Sequence, residues 1–581
     1  MSKSYFYFFC VLLLSSFNVG CNDTDSEKSE VALEQENILF YGGPILTMKG
    51  MSPGYVQAVL VQNGRIKFTG GIDDAMRLKS NNTKIINLKN NMLLPSFIDA
   101  HSHVYNVGLQ QVVANLYPSP DGTTNDLASL IQTLKEWEQK NEKFIHETSN
   151  WIIGNRYDDA QLKEKRHPTA DDLDQVSTTR PVIVIHQSGH IVSVNHVALK
   201  LLGIDENTKD PDGGVIRRVQ HTQIPNGILE EAAVIVPRNV AFSKISISKM
   251  RDIAKGGLKV YIQNGYTTVQ EGRSDKNIAE LWRDLADKGQ LNIDVVVYPD
   301  MIIEREYMKK YGSSLTYHNR FRIGGGKISL DGSPQGKTAW LSQPYLIPPE
   351  GRDKDYKGYP SYNDNTVQDA INLAYQNHWQ VLAHANGDAA IDLYLNALEN
   401  ANKVFGLQDR RSVIIHAQMM RDDQLDQAKQ KGVIPSFFPA HTFYWGDWHK
   451  NETLGAQRAN RISPTGSALN KGILFTIHHD APVIPPSAIR VLDTAVNRTT
   501  RSGDTLGVDE RISPYIALKA MTDWAAYQYY EEKEKGTIEV GKLADFVILD
   551  KNPLTIQSDK IKDINVLATY KEGENIYQAP Q

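Results

Sequence analysis

Residues 93–103 read LLPSFIDAHSH. An apolar run ends at Asp99, and two histidines one residue apart, His101 and His103, follow at once. Side chains on a strand alternate between its faces, so this spacing predicts that both imidazoles point the same way from the end of a buried strand. Neutral imidazole is a common ligand for divalent metals, zinc above all. One such pair decides little in a chain with 16 histidines. What decides the fold is whether other strand-like runs end in the same way.

Short apolar runs separated by amphipathic stretches recur along the chain. After MLLPSFIDA come YTTVQEG near Thr268, NIDVVVYP near Val296, KISLDGS from Lys327, QVLAHANGD around His384, SVIIHAQ around His416, GVIPSFF around Ile434 and ILFTIHHDAP around Asp480. Strand-like runs alternating with helical ones predict an α/β fold with a parallel sheet, and their number predicts a (β/α)8 TIM barrel with its chemistry at the strand C-termini. His384, His416 and Asp480 each follow an apolar run directly, so together with His101 and His103 they are expected in one barrel mouth. Four imidazoles and a carboxylate suit Zn, Mn, Fe or Ni.

Outward from the barrel, the stretch of about 104–250 is too long for a single crossover helix. It is expected to hold an inserted subdomain, with a strand-like PVIVIH at Pro181–His186 and a Gly/Pro-rich loop DPDGGVIRR, lying above the active-site face as a lid or substrate wall. The chain ends are strand-like too: NILFYG, AVLVQNGRIKFTG and TKIINLKNNMLLP at one end, GTIEVGKLADFVILD and NVLATYKEGENIY at the other. Asn63-Gly64 between apolar runs is a hairpin signal. Residues 37–94 and 536–581 are expected to pair into one small composite β-sandwich around a barrel spanning 95–535.

The extreme N-terminus has Lys3, an apolar run Tyr5–Leu14, then Cys21 and a polar stretch over 22–36. It resembles a bacterial lipoprotein signal over 1–21, with Cys21 lipidated and 22–36 as a tether, which implies export and a lipid anchor on the periplasmic or cell-surface side. An ordinary cleaved signal is the alternative. Cys10 and Cys21 are the only cysteines, so thiolate metal sites and disulfides are excluded from the folded body. A net charge of -5 gives no general basic field for nucleic acid. Small neutral or mildly charged ligands are the expected partners.

On these motifs, together with GGKISLDGSPQGKTAWLSQPY, VLAHANGDAAID, TIHHDAPVIPP and GTIEVGKLADFVILDKNP, the chain resembles the amidohydrolase superfamily, specifically amidohydrolase family 3 and its YtcJ-like branch. WIIGNRYDD, HPTADDLD, RPVIVIHQSGH and PNGILEEAA in the insertion also match, and the resemblance runs from about Asn37 to Pro553. It implies that His101, His103, His384, His416 and Asp480 are metal ligands for one or two zinc ions. It also implies that Lys327 is carboxylated and bridges the two, and that amide-type C–N bonds, formamides included, are cleaved. Asp480 would carry the proton from water to the leaving nitrogen. His190, Glu231 and His441 are candidates for substrate contact. The chain departs from the family pattern at Ser96, Lys337, Ile415, His478 and His479. A deaminase or lactonase could use the same site, and an exported binding lipoprotein without turnover is the reading from another class. A homo-oligomer is left open.

Overall fold

The computed structural model describes residues 37–349 and 351–580, so the expected signal, tether and Cys21 lie outside the described residues. The barrel strands are Phe97–Ile98, Tyr266–Ser274, Asp294–Pro299, Phe321–Ile323 continued by Gly325–Ser329, Gln380–Ala385, Val413–His416, Ile434–Phe437 and Thr476–Ile477. Sequence neighbours pair in parallel, in one four-stranded and one five-stranded sheet. The sheets part at Gly324, inside the fourth strand, whose N–H still donates to Val297 O at 2.9 Å. A Cβ at Gly324 would fall 2.6 Å from Val296 Cγ1 and 2.7 Å from the Tyr298 ring, so only glycine lets the two strands approach there. At the opposite seam His103 N–H donates to Ala481 O at 2.8 Å.

The arrangement is a TIM-barrel-type α/β fold. Its inner apolar cluster includes Ile98, Val296, Leu382, Val413, Ile415 and Ile434, drawn from strand after strand. Helices between the strands pack by an apolar stripe: Asp388–Phe405 buries Ile391, Tyr394, Leu395 and Leu398, the spacing of one helix face. The preceding helix, Asp364–Gln376, starts where Asn363 accepts a hydrogen bond from Thr366 N at 2.9 Å.

MLLPSFIDA, expected as one strand, is two. Met92–Pro95 pairs antiparallel with Phe546–Leu549 in the terminal sheet, while Phe97–Ile98 opens the barrel. Ser96 is the switch point rather than a turn residue: its N–H donates to Asp545 O at 3.0 Å, and its buried hydroxyl meets Thr267 Oγ1 at 2.6 Å.

Strands from both chain ends form one eight-stranded sheet, seven in a continuous hydrogen-bonded path and Lys84–Asn87 branching from it. Ile38–Leu46 is bulged between Tyr41 and Ile45, so its first half pairs with Lys84–Asn87 and its second half meets Met92–Pro95. The Phe40 ring lies edge-on to Phe546 and Tyr570, with centroids 5.6 and 5.1 Å away. Asn63 and Gly64 take φ +51° and +73°, the left-handed pair that a two-residue hairpin needs. Between the first and second barrel strands lies a further six-stranded sheet. It includes Ala114–Asn115, Ile152–Tyr157, Val182–His186, Ile191–Val194, Gly214–Arg218 and Pro225–Glu231. Leu116, Leu130, Leu134, Ile152, Leu173 and Val184 give it a core of its own. Among the described residues no helix is long and apolar enough to cross a membrane.

Candidate metal centre

His101 and His103 converge, but not by strand alternation. The strand ends at Ile98, and His103 sits at the start of helix Val104–Gln110 with φ −131°. The intervening turn brings both Nε2 atoms to 3.3 Å from Asp480 Oδ1. Asp480 and His416 follow their strands with φ +51° and +75°, and such left-handed backbone in non-glycine residues clusters at functional sites. His416 Nε2 lies 3.8 Å from Asp480 Oδ2 and 3.0 Å from His384 Nδ1. Lys327 Nζ lies 3.2 Å from His101 Nε2. The six residues proposed as ligands therefore form one continuous chain of contacts. Gly272 makes room for it: a Cβ there would stand 2.4 Å from His101 Cε1.

The hydrogen-bond network fixes where the protons are. Gln270 Nε2 donates to Ala100 O at 3.0 Å, so its Oε1, 2.6 Å from His101 Nδ1, accepts and Nδ1 carries the proton. His101 Nε2 is then an unprotonated nitrogen, 3.2 Å from Lys327 Nζ and 3.3 Å from a carboxylate oxygen, Asp480 Oδ1, that receives no well-directed hydrogen bond. His384 Nε2 lies 3.1 Å from both Gly332 O and Asn386 Nδ2, and its Nδ1 faces His416 Nε2 at 3.0 Å. An unprotonated imidazole nitrogen and an ionised carboxylate oxygen turned on one another suit a cation between them. His101, His103 and Asp480 also have donor atoms within 4.8 Å of one another. The residues present fit a divalent ion.

Charge states agree with this. Burial holds His101, His384 and His416 well below the usual imidazole value and lowers His103, so all favour the neutral form that a metal requires. Burial also lowers Lys327 to about 7. Burial alone would raise Asp480, but the contact with His103 and the charges of His103, His478 and Lys327 outweigh it, and the carboxylate stays ionised. Asp331 does not pair with Lys327. It accepts from the backbone N–H of Trp340, Asn386 and Gly387 and stands 3.6 Å from His384 Nε2.

The departures divide into those facing the centre and those behind it. The His478 ring is buried 5.3 Å from that of His101 and 5.2 Å from that of His416, with neither nitrogen in a directed hydrogen bond. His479 faces away, with its Nδ1 accepting from Ala481 N at 3.0 Å and Nε2 3.7 Å from Asp99 Oδ1. Ile415 joins the barrel's apolar cluster. Lys337 lies over the Trp448 ring at 5.1 Å and 3.7 Å from Glu452.

Of the substrate-contact candidates, His190 and Glu231 pair at 2.7 Å, and the His190 ring lies 5.1 Å from that of His384. His441 does not join the centre: its Nδ1 is 3.2 Å from His449 Nε2, and Phe438 stands between it and His478. Sequence reasoning did not single out a second buried cluster, Asp159, His167 and His186, in the inserted sheet. His186 Nε2 is 3.0 Å from Asp159 Oδ1, and His167 Nε2 is 3.7 Å from Asp159 Oδ2. Ser188 N–H donates to His186 Nδ1 at 3.1 Å, so the proton is on Nε2 and points at the carboxylates of Asp158 and Asp159. Neither His186 Nε2 nor Asp159 Oδ1 is in a well-directed hydrogen bond, so this cluster too holds buried polar atoms without a partner. The visible signal for it was a histidine ending the strand-like run PVIVIH, close after HPTADDLD.

A TIM-barrel-type fold with a buried His, Lys and Asp centre at its strand ends defines a recognised class of protein. The amidohydrolase family profile matches residues 84–577, and the chain belongs to that family. It is 27% identical over 565 residues to the Bacillus subtilis (strain 168) protein YtcJ, covering 93% of this chain and 99% of that one. It is also 27% identical over 540 residues to the N-substituted formamide deformylase of Arthrobacter pascens, covering 90% and 95%. Among solved structures, an uncharacterized metal-dependent hydrolase from Pyrococcus horikoshii shares the fold, with TM-score 0.71 and 23% identity over 90% of this chain and 99% of that one.

Proposed function

We propose that this protein is a metal-dependent hydrolase of non-peptide C–N bonds of the amide or formamide type. The observation that carries the reading is the unprotonated Nε2 of His101, which with His103 Nε2 converges on one oxygen of the ionised Asp480. His101, His103 and Asp480 would hold one ion, and His384 and His416 a second. Such an ion, when bound, acidifies water and polarises a carbonyl oxygen. The chain's own groups then have defined tasks. Asp480, ionised and directed into the centre, takes the proton from the attacking water and returns it to the departing nitrogen. The Lys327 amine, lowered to about 7, is in good part neutral at neutral pH and so able to take up carbon dioxide, which supports a carbamate that would join the two ions. The His190–Glu231 pair, beside His384, orients the substrate. The formamide deformylase relative supports amides as substrates over the ring amines of a deaminase or the esters of a lactonase. A lipid anchor at Cys21 is proposed on the sequence of residues 1–36 alone.

The test is metal content by mass spectrometry of the purified protein, alongside hydrolysis of a panel of N-formyl and N-acyl amines, lactones and aminated heterocycles. Metal-dependent release of amine from the first set is expected. Tight metal binding without turnover on any set would replace the enzyme by a binding protein.

A further inference from the structure

The inserted sheet buries one arginine, near enough to Asp480 for their charges to interact, at a conformational cost. In strand Ile152–Tyr157, Asn155 pairs with Ile185 and Tyr157 with His186, leaving Arg156 as an extra residue, a β-bulge. Its φ is +82°, in the left-handed region that suits glycine and strains an arginine. Bulges next to active sites re-aim side chains, and strain at a non-glycine residue persists where function holds it.

The side chain itself is only 5% exposed. Nη1 donates to Gln187 O at 2.8 Å, Nε has no partner, and among the described residues no carboxylate forms an ion pair with it. The Gln187 side-chain amide beside it is fully buried and also unpartnered. Tyr117 follows the strand that pairs with Asn155 and donates its hydroxyl to Pro482 O, which ties the bulge to the segment just after Asp480. Asp480 and Arg156 feel each other's charge, and Arg156 in turn disfavours a charged His103. Arg238, on helix Ile235–Phe242, adds a second guanidinium near Arg156, again without an ion pair among the described residues.

A buried guanidinium costs a great deal unless an anion meets it. Asp480 forms no ion pair with Arg156 and, on the proposed reading, would serve the metal, and a centre that collects cations would repel a further one. We propose that Arg156 recognises a carboxylate on the substrate, so that the bond cleaved belongs to an acidic amide, with Arg238 adding to the field that draws it in. Arginine matches a carboxylate with a planar, two-pronged fork that lysine lacks. This rests on the C–N hydrolase reading, and the experiment separates the two.

The probes are ω-formamido carboxylates with one to four methylenes and their matching carboxamides. Each is measured by calorimetry and by formate release on the metal-loaded full-length protein, on R156G and on R156K. Glycine suits the φ of +82°, so R156G is expected to fold at least as well as the parent. In the parent, at least one carboxylate should bind and react better than its carboxamide. In R156G that ratio should fall roughly ten- to hundred-fold, the worth of a charge-assisted hydrogen bond, with partial recovery in R156K. Equal handling of carboxylates and carboxamides by the parent, no carboxylate binding at all, or a preference that survives R156G would overturn the proposal. Arg156-dependent carboxylate binding without formate release would support it while removing the hydrolase reading.

Discussion

At the barrel mouth His101 turns an unprotonated Nε2 toward Asp480, whereas in the inserted sheet His186 turns a protonated Nε2 toward Asp159. Both clusters are two histidines and an aspartate, and both are largely buried. Their nitrogen-to-oxygen distances overlap, 3.3 and 3.3 Å in one, 3.0 and 3.7 Å in the other. Composition and distance do not separate them. The far nitrogen does: His101 Nδ1 meets an acceptor, Gln270 Oε1, while His186 Nδ1 meets a donor, Ser188 N–H. An acceptor behind the ring frees the near nitrogen for a metal, and a donor behind it puts the proton where the metal would sit. The first cluster therefore presents an unprotonated nitrogen to its carboxylate and the second a proton, although His186 Nε2 and Asp159 Oδ1 also lack a well-directed hydrogen bond.

The strongest way to break this comparison is at the carboxylates. Asp480→Asn is nearly isosteric and should keep the fold but lose the proton carrier, lowering kcat on the order of a hundred- to ten-thousand-fold. Near-normal kcat with normal metal content would take Asp480 out of the mechanism. His478, whose ring faces the centre, would then be the group to examine, and not His479, which faces Asp99. Asp159→Asn should do the opposite. Removing one partner of a buried charged network costs about 3–5 kcal/mol, read as a lower denaturation midpoint, with metal stoichiometry unchanged. A lost equivalent of metal in that variant would show that the second cluster is a metal site after all.

A finer cut leaves both clusters' ligands in place. Gln270→Leu removes the acceptor behind His101, so the ring is no longer held with its proton on Nδ1. Metal affinity should fall about ten- to hundred-fold, the usual effect of losing a ligand's supporting partner. Unchanged affinity in a metal titration would mean that the tautomer is set elsewhere.

The sequence carried the donors better than their protons. His101, His103, His384, His416 and Asp480 were legible because each follows an apolar run, and Asn63-Gly64 because a tight hairpin needs left-handed residues. The break at Ser96 was not legible, since one apolar run serves two sheets and nothing local marks the change. The turn that brings His101 and His103 together has the same spacing as a strand, so the right convergence was expected for the wrong reason. The second cluster and Arg156 stayed hidden because their meaning lies in long-range partners and in a bulge register, which residue order does not display.

The smallest expected effect uses Lys327 to test whether the first cluster alone depends on metal. Burial lowers this amine to about 7 in the folded protein, against 10.5 ordinarily. Between those values the unfolded chain holds one more proton than the folded one, so stability of the metal-free protein should rise with pH across that window. Below about 7 both states are protonated, the burial penalty is fully present, and this contribution is flat. The gradient from one group can reach no more than about 1.4 kcal/mol per pH unit. Chemical denaturation of the metal-free protein at several pH values reads it, and Lys327→Met should flatten it. A carbamate or a bound ion removes the free amine, so the gradient should also vanish in the metal-loaded protein. A gradient that persists in Lys327→Met, or that is the same with and without metal, would assign it to other groups and leave Lys327 as an ordinary buried lysine.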